Sequence, residues 1–210
     1  MGMYPGSREI PAALLEQVLQ RPDDPAWVGG LLFVEDSSGV LDWSEAASRS
    51  ALDDGELARR FTCPYLDFSV DERRRLASYD LGKLGHCPDD AEFWHYMATV
   101  ESGVTAADLG ALLDAPRETW WAAIEANMAA ASTAPASVGR DRPTIRSEVP
   151  CYGINDYSTP AELAAVWQRI DRAVTSHPDL TGRVADLFAT DIRYYYGCAA
   201  RGSAELSVIW

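Results

Sequence analysis

The sequence is poor in basic residues, and this shortage argues against two classes of function. Its 210 residues include 18 lysines and arginines against 32 aspartates and glutamates, which gives a formal net charge of -14. A charge of this sign repels the phosphate backbone of nucleic acids at long range. Lys83 is the only lysine, and no neighbouring residues support it as a Schiff-base nucleophile. We therefore expect neither non-specific nucleic-acid binding nor lysine-based catalysis.

Signatures of metal sites, secretion and membrane spans are also missing. The four cysteines contain no C-x-x-C pair, and the three histidines contain no H-E-x-x-H pattern. No apolar run has the length of a membrane span, and the first residues lack the charged and apolar regions of a secretory signal. We expect a cytoplasmic protein with free thiols, no bound metal or cofactor and no membrane attachment.

Hydrophobic periodicity predicts an α+β fold that is mostly helical, with short β-hairpins near the N- and C-terminal ends. The first hairpin is predicted from residues 30–35 and 40–43, and the second from residues 192–196 and 206–210. Local signals also predict helices at residues 11–20 and 55–61. Capping boxes predict two more, which begin after Ser69 and Thr159.

A proline-rich segment divides the chain into two predicted lobes. Residues 133–150 have little apolar content and are typical of a linker or long loop. An acidic, mainly helical lobe is predicted before it at residues 1–132, and a smaller α/β lobe after it at residues 151–210. The acidity lies in the first lobe, which holds 23 acidic and 10 basic side chains, whereas residues 133–210 hold 9 and 8. The alternative is a single domain.

The most patterned segment is residues 104–131, where the spacing predicts two helices joined by a tight turn. The positions that define this hairpin are a cap, four apolar side chains and a turn residue: Thr105, Leu109, Leu112, Trp120, Ile124 and Ala115. The spacing is similar to that of the helix-turn-helix of transcription regulators, a resemblance that implies DNA binding by the second helix. Gly110 and Asp114 depart from that family's usual alanine and glycine.

The second helix of this hairpin indicates a protein-binding function more than a DNA-binding one. Its predicted outer face carries Arg117, Trp121 and Glu125, and one arginine does not make a base-reading surface. An exposed tryptophan is typical of protein interfaces. Our first hypothesis is a non-catalytic, cytoplasmic interaction or regulatory protein that binds a basic protein partner through these three residues.

Two alternatives stay open at this stage. One is a small-molecule enzyme with a pocket between the lobes, in which His95, Tyr195 and Cys198 supply imidazole, phenol and thiol groups. Common hydrolase, phosphate-binding and dinucleotide-binding motifs do not occur in the sequence, which weakens this alternative. The other is a DNA-binding regulator, supported only by the helix-turn-helix-like spacing.

Overall fold

In a computed structural model, the described residues are 5–20, 35–36, 52–62, 67–77, 86–87, 91–126 and 155–209. They form an α+β fold that is mostly helical, as predicted. The strands are β1 (Pro5–Ile10), β2 (Glu35–Asp36), β3 (Phe61–Thr62), β4 (His86–Cys87), β5 (Asn155–Ser158) and β6 (Ala204–Ile209). The helices are α1 (Ala12–Gln20), α2 (Asp54–Arg60), α3 (Val70–Ala77), α4 (Ala91–Glu101), α5 (Ala106–Asp114), α6 (Arg117–Ala126), α7 (Pro160–Thr175), α8 (Thr181–Leu187) and α9 (Ala189–Arg201).

One antiparallel sheet joins strands from both ends of the chain, in the order β4-β1-β6-β5. Strands β1 and β6, the first and last in the chain, are neighbours in the middle of the sheet. They pair from Pro5 with Ile209 to Ile10 with Ala204. Strand β5 pairs with the outer side of β6. The sheet therefore contains strands from both predicted lobes, and the division into lobes stays a prediction.

The structure tests only the second of the two predicted hairpins in full. Of the first, residues 30–34 and 40–43 lie outside the described residues, and the short strand β2 pairs with β3. Of the second, the strand at 206–209 is confirmed, but it pairs with β1 and β5. The prediction of a strand at residues 192–196 is wrong, because these residues lie in α9. The predicted linker at 133–150 is outside the described residues.

Local capping hydrogen bonds explain why several helices begin where the sequence predicts. The Ser69 amide donates to Glu72 Oε2 at 2.8 Å, and the Glu72 amide donates back to Ser69 Oγ at 3.3 Å. Thr159 and Glu162 form the same reciprocal pair at the start of α7. Such boxes satisfy two amides that the first turn of a helix leaves without partners.

Helices α4 to α9 contribute to one aromatic-rich core. Its largest buried side chains are Phe93, Trp94, Tyr96, Trp120 and Phe188. Aromatic rings in this cluster meet edge-on or tilted, as between Phe93 and Phe188 at a centroid distance of 5.4 Å. This packing fixes the helical hairpin of α5 and α6 against the C-terminal helices.

Candidate functional site

The helical hairpin predicted at residues 104–131 is confirmed over its described part, α5 and α6. Thr105 caps α5 through a capping box with Asp108, and Leu109 is buried. The turn residue Ala115 is extended, with φ -69° and ψ 145°, so it does not continue the helix. Instead, Asp114 ends α5 and forms an ion pair with Arg183 at 2.7 Å.

Arg117, a predicted partner-binding residue, is turned toward the core. Its Nη1 atom lies 2.7 Å from Glu92 Oε2 on α4. Its guanidinium carbon lies 4.8 Å from the centre of the Trp120 ring and 5.6 Å from that of Phe188. These contacts combine an ion pair with cation–π attraction. The only basic side chain of α6 is therefore occupied within the protein.

Trp121 is exposed, as the sequence predicts. The residue keeps 51% of its accessible surface, while the adjacent Trp120 is buried. Glu118 and Glu125 lie three positions before it and four positions after it, and both are exposed. These spacings place all three side chains on one side of the helix. We call Glu118, Trp121 and Glu125 the Trp121 stripe.

The structure gives the three candidate catalytic residues different immediate contacts. The half-buried His95 ring meets the Trp120 ring at 6.0 Å, and burial lowers the pKa of this histidine from its ordinary value of 6.5. Tyr195 and Cys198 instead lie one turn apart on the buried face of α9. The Tyr195 ring contacts that of Trp94 at 5.6 Å. His95 and Tyr195 thus contact different tryptophan rings, and Cys198 lies near the Glu9 and Glu205 carboxylates of β1 and β6.

The environment of Cys198 is unfavourable to a nucleophilic thiol. Its side chain is fully buried. Burial is the largest cause that raises the pKa of the thiol, and the nearby Glu9 and Glu205 carboxylates raise it further. Because the thiolate is the reactive form, the burial of Cys198 and the raised pKa both disfavour reaction of this thiol in the folded protein.

Next to Cys198 lies a polar network that sequence reasoning did not identify. Glu9 and Glu205 face each other across β1 and β6, and they are 0% and 1% exposed. Arg201, at the end of α9, donates from Nε and Nη2 to the two Glu9 oxygens at 2.7 and 2.6 Å. This bidentate pair connects the first strand to the last helix.

The Glu205 carboxylate is held by hydroxyl groups. Tyr194 Oη donates to Glu205 Oε2 at 2.8 Å, and Ser158 and Ser207 donate to Oε1 at 3.3 and 3.1 Å. Burial, followed by the charge of Glu205, raises the pKa of Tyr194 well above its ordinary value. Tyr194 therefore stays protonated and acts as a hydrogen-bond donor. The network joins β5, β6 and α9 in the interior of the molecule.

Within the described residues, no three or more histidine, cysteine, aspartate or glutamate side chains are placed to hold a metal ion. None of the helices in that part of the chain has the length and hydrophobicity to cross a bilayer. Neither the models of known protein families, nor curated proteins, nor solved structures match this chain. The Trp121 stripe is the candidate functional surface, because it places an exposed tryptophan between two exposed glutamates.

Proposed function

We propose that this protein is a non-catalytic interaction or regulatory protein that binds a basic protein partner through the Trp121 stripe. The observation that carries the proposal is the half-exposed Trp121 on a helix that the core holds rigidly. A large aromatic side chain held in place gains contact area in a complex without losing much conformational freedom. It is the kind of residue on which binding energy concentrates.

Charge supports a basic partner. The stripe carries two exposed carboxylates, and the adjacent Arg117 is already paired with Glu92. The chain as a whole has a formal net charge of -14. Complementary charge accelerates association and excludes acidic partners. A basic polypeptide therefore satisfies both the apolar and the anionic parts of this surface.

The two alternatives receive less support from the geometry. The enzyme hypothesis relies on His95, Tyr195 and Cys198. The last two are buried in the core, and His95 is half-buried. The DNA-binding hypothesis relies on α6, whose outer face presents Glu118 and Glu125, while the partly exposed Arg117 is paired with Glu92. Readers of DNA need several basic or amide side chains at base edges and phosphates.

Affinity capture with two baits tests the proposal. The wild-type protein and Trp121→Ala are immobilised in equal amounts, exposed to the same lysate, and the captured proteins are quantified at low and high salt. We expect a basic protein that the wild type retains, that Trp121→Ala loses, and that high salt releases because exposed charges are screened. Cross-links from that partner should map to α6.

Glu16→Gln is the matched control, since Glu16 is an exposed glutamate on α1. It should retain the partner nearly as well as the wild type. Identical captured proteins with the wild-type and Trp121→Ala baits would refute the proposed function. So would a partner whose binding is insensitive to salt.

A further inference from the structure

The composition of the Trp121 stripe constrains which basic side chain it can recognise. It offers one aromatic face with a carboxylate on each side along the helix, Glu118 before it and Glu125 after it. Positions seven apart on a helix are separated by about 10 Å along its axis. Either carboxylate is thus within reach of a long cationic side chain that lies over the indole. We infer that the residue recognised by the stripe is arginine in preference to lysine, an inference that rests on the proposed function.

Arginine fits because the indole and the carboxylates of the stripe favour different properties of the same cation. The indole attracts a flat cation that can stack on it, while a carboxylate accepts two parallel hydrogen bonds from a planar fork. A guanidinium meets both demands at once, since its faces stack and its edge donates. The lysine ammonium is a compact, strongly hydrated charge that cannot stack and donate in this manner.

The molecule contains an internal example of the same combination one residue away. The Arg117 guanidinium carbon lies over the Trp120 ring, 4.8 Å from its centre, while the Nη1 atom forms an ion pair with Glu92 Oε2 at 2.7 Å. The example shows that tryptophan and glutamate on this pair of helices can hold one guanidinium together. Trp121 and its two glutamates repeat these groups on the solvent side.

Isothermal titration with peptides of equal charge tests this inference. One probe is a glycine-based peptide that carries three arginines, and the other is the same peptide with three lysines. We expect the arginine peptide to bind at least about fivefold more tightly, an advantage in the range of a partly exposed cation–π contact. In Trp121→Ala this preference should fall, because the stacking surface is gone and only the carboxylates distinguish the two cations. Glu118→Gln and Glu125→Gln should weaken both peptides and reduce the salt dependence, whereas Glu16→Gln should do neither.

The outcomes separate the inference from the proposed function. Equal affinity of the two peptides, lost for both in Trp121→Ala, would overturn the arginine preference and leave a basic partner in place. Absence of binding, or binding that Trp121→Ala leaves unchanged, would overturn both. Because Trp121 is half exposed, the variant should melt at the temperature of the wild type, and a melting curve checks that loss of binding is not loss of fold.

Discussion

Replacing Gly197 by alanine should destabilise the protein, although the same replacement in a helix ordinarily does the opposite. In a helix interior, alanine is favoured over glycine by about 1 kcal/mol. A Cβ atom built at Gly197, however, would lie 2.5 Å from Nη2 of Arg201 and 3.1 Å from its Cζ. The guanidinium would have to move, and it is the group that pairs with the buried Glu9 carboxylate.

The net effect follows from these two opposing terms. Breaking a buried ion pair from one side costs about 3–5 kcal/mol. The Arg201 side chain is 43% exposed, so solvent screening reduces the expected loss to about 2–3 kcal/mol. Subtracting the gain in helix propensity leaves Gly197→Ala less stable by about 1–2 kcal/mol. For a chain of this size the melting temperature should fall by about 2–8 °C.

Urea unfolding followed by circular dichroism measures this difference, and Gly110 provides the matched control. Gly110 lies inside α5, where an added Cβ would meet nothing within 4 Å, so Gly110→Ala should stabilise by up to about 1 kcal/mol. Combining Gly197→Ala with Glu9→Gln tests the cause, because the penalty should shrink once the charge on Glu9 is gone. Equal stabilisation by the two alanines, or an unchanged penalty beside Glu9→Gln, would refute the reasoning.

Three further predictions concern single residues. Iodoacetamide should not alkylate Cys198 in the folded protein, because burial raises the pKa of the thiol. Peptide mapping should find Cys198 labelled only in urea. Fast labelling without urea would contradict this prediction. The pKa of His95, measured by NMR, should lie below 6.5, because burial disfavours the charged imidazole. The unfolded chain then binds more protons than the folded one, so the free energy of unfolding should fall as the pH drops below 6.5. This fall should be smaller in His95→Gln. Thr159→Ala should cost about 1 kcal/mol through loss of the α7 cap, whereas Thr190→Ala, on the exposed side of α9, should be near neutral in the same urea titration.

The features that sequence could predict are those fixed by residues close together in the chain. Ser69 with Glu72 and Thr159 with Glu162 form capping boxes whose hydrogen bonds span three residues. The exposure of Trp121 next to a buried Trp120 also follows from local geometry, since neighbours on a helix point about 100° apart. These signals depend little on how the rest of the chain folds.

The segment 192–196 shows where local signals fail. Isoleucine and tyrosine are favourable in strands, and three consecutive tyrosines give no clear helical period. In α9 the buried side chains are Asp191, Tyr194, Tyr195 and Cys198, which repeat at helical spacing, while Tyr196 is 56% exposed. Packing of α9 against the sheet and α7 decides the structure there. That packing involves residues far apart in sequence, so the secondary-structure propensities of residues 192–196 cannot predict it.

The sequence does not predict the buried network, because polar and apolar residues alternate along β6 as they do in a strand with one face toward water. Polar side chains at Glu205 and Ser207 alternate with apolar ones, which predicts a polar face toward water. In the structure α9 covers this face, and the hydrogen bonds from Tyr194 and Arg201 offset the cost of removing the carboxylates from water. No residue within β1 or β6 indicates that Tyr194 and Arg201 of α9 will donate hydrogen bonds to these carboxylates.

The polar face also gives a physical reason for the register of β1 against β6. A slip of one residue would turn every side chain of β1 to the opposite face of the sheet. Arg8 or Ile10, depending on the direction of the slip, would then take the place of Glu9, and the Glu9 carboxylate would lose its bidentate partner. Apolar patterning alone specifies this register weakly, since Ile10 is the only large aliphatic residue in β1. We therefore expect the Glu9–Arg201 pair to favour one pairing of β1 with β6, a role in register that buried polar groups have in other proteins.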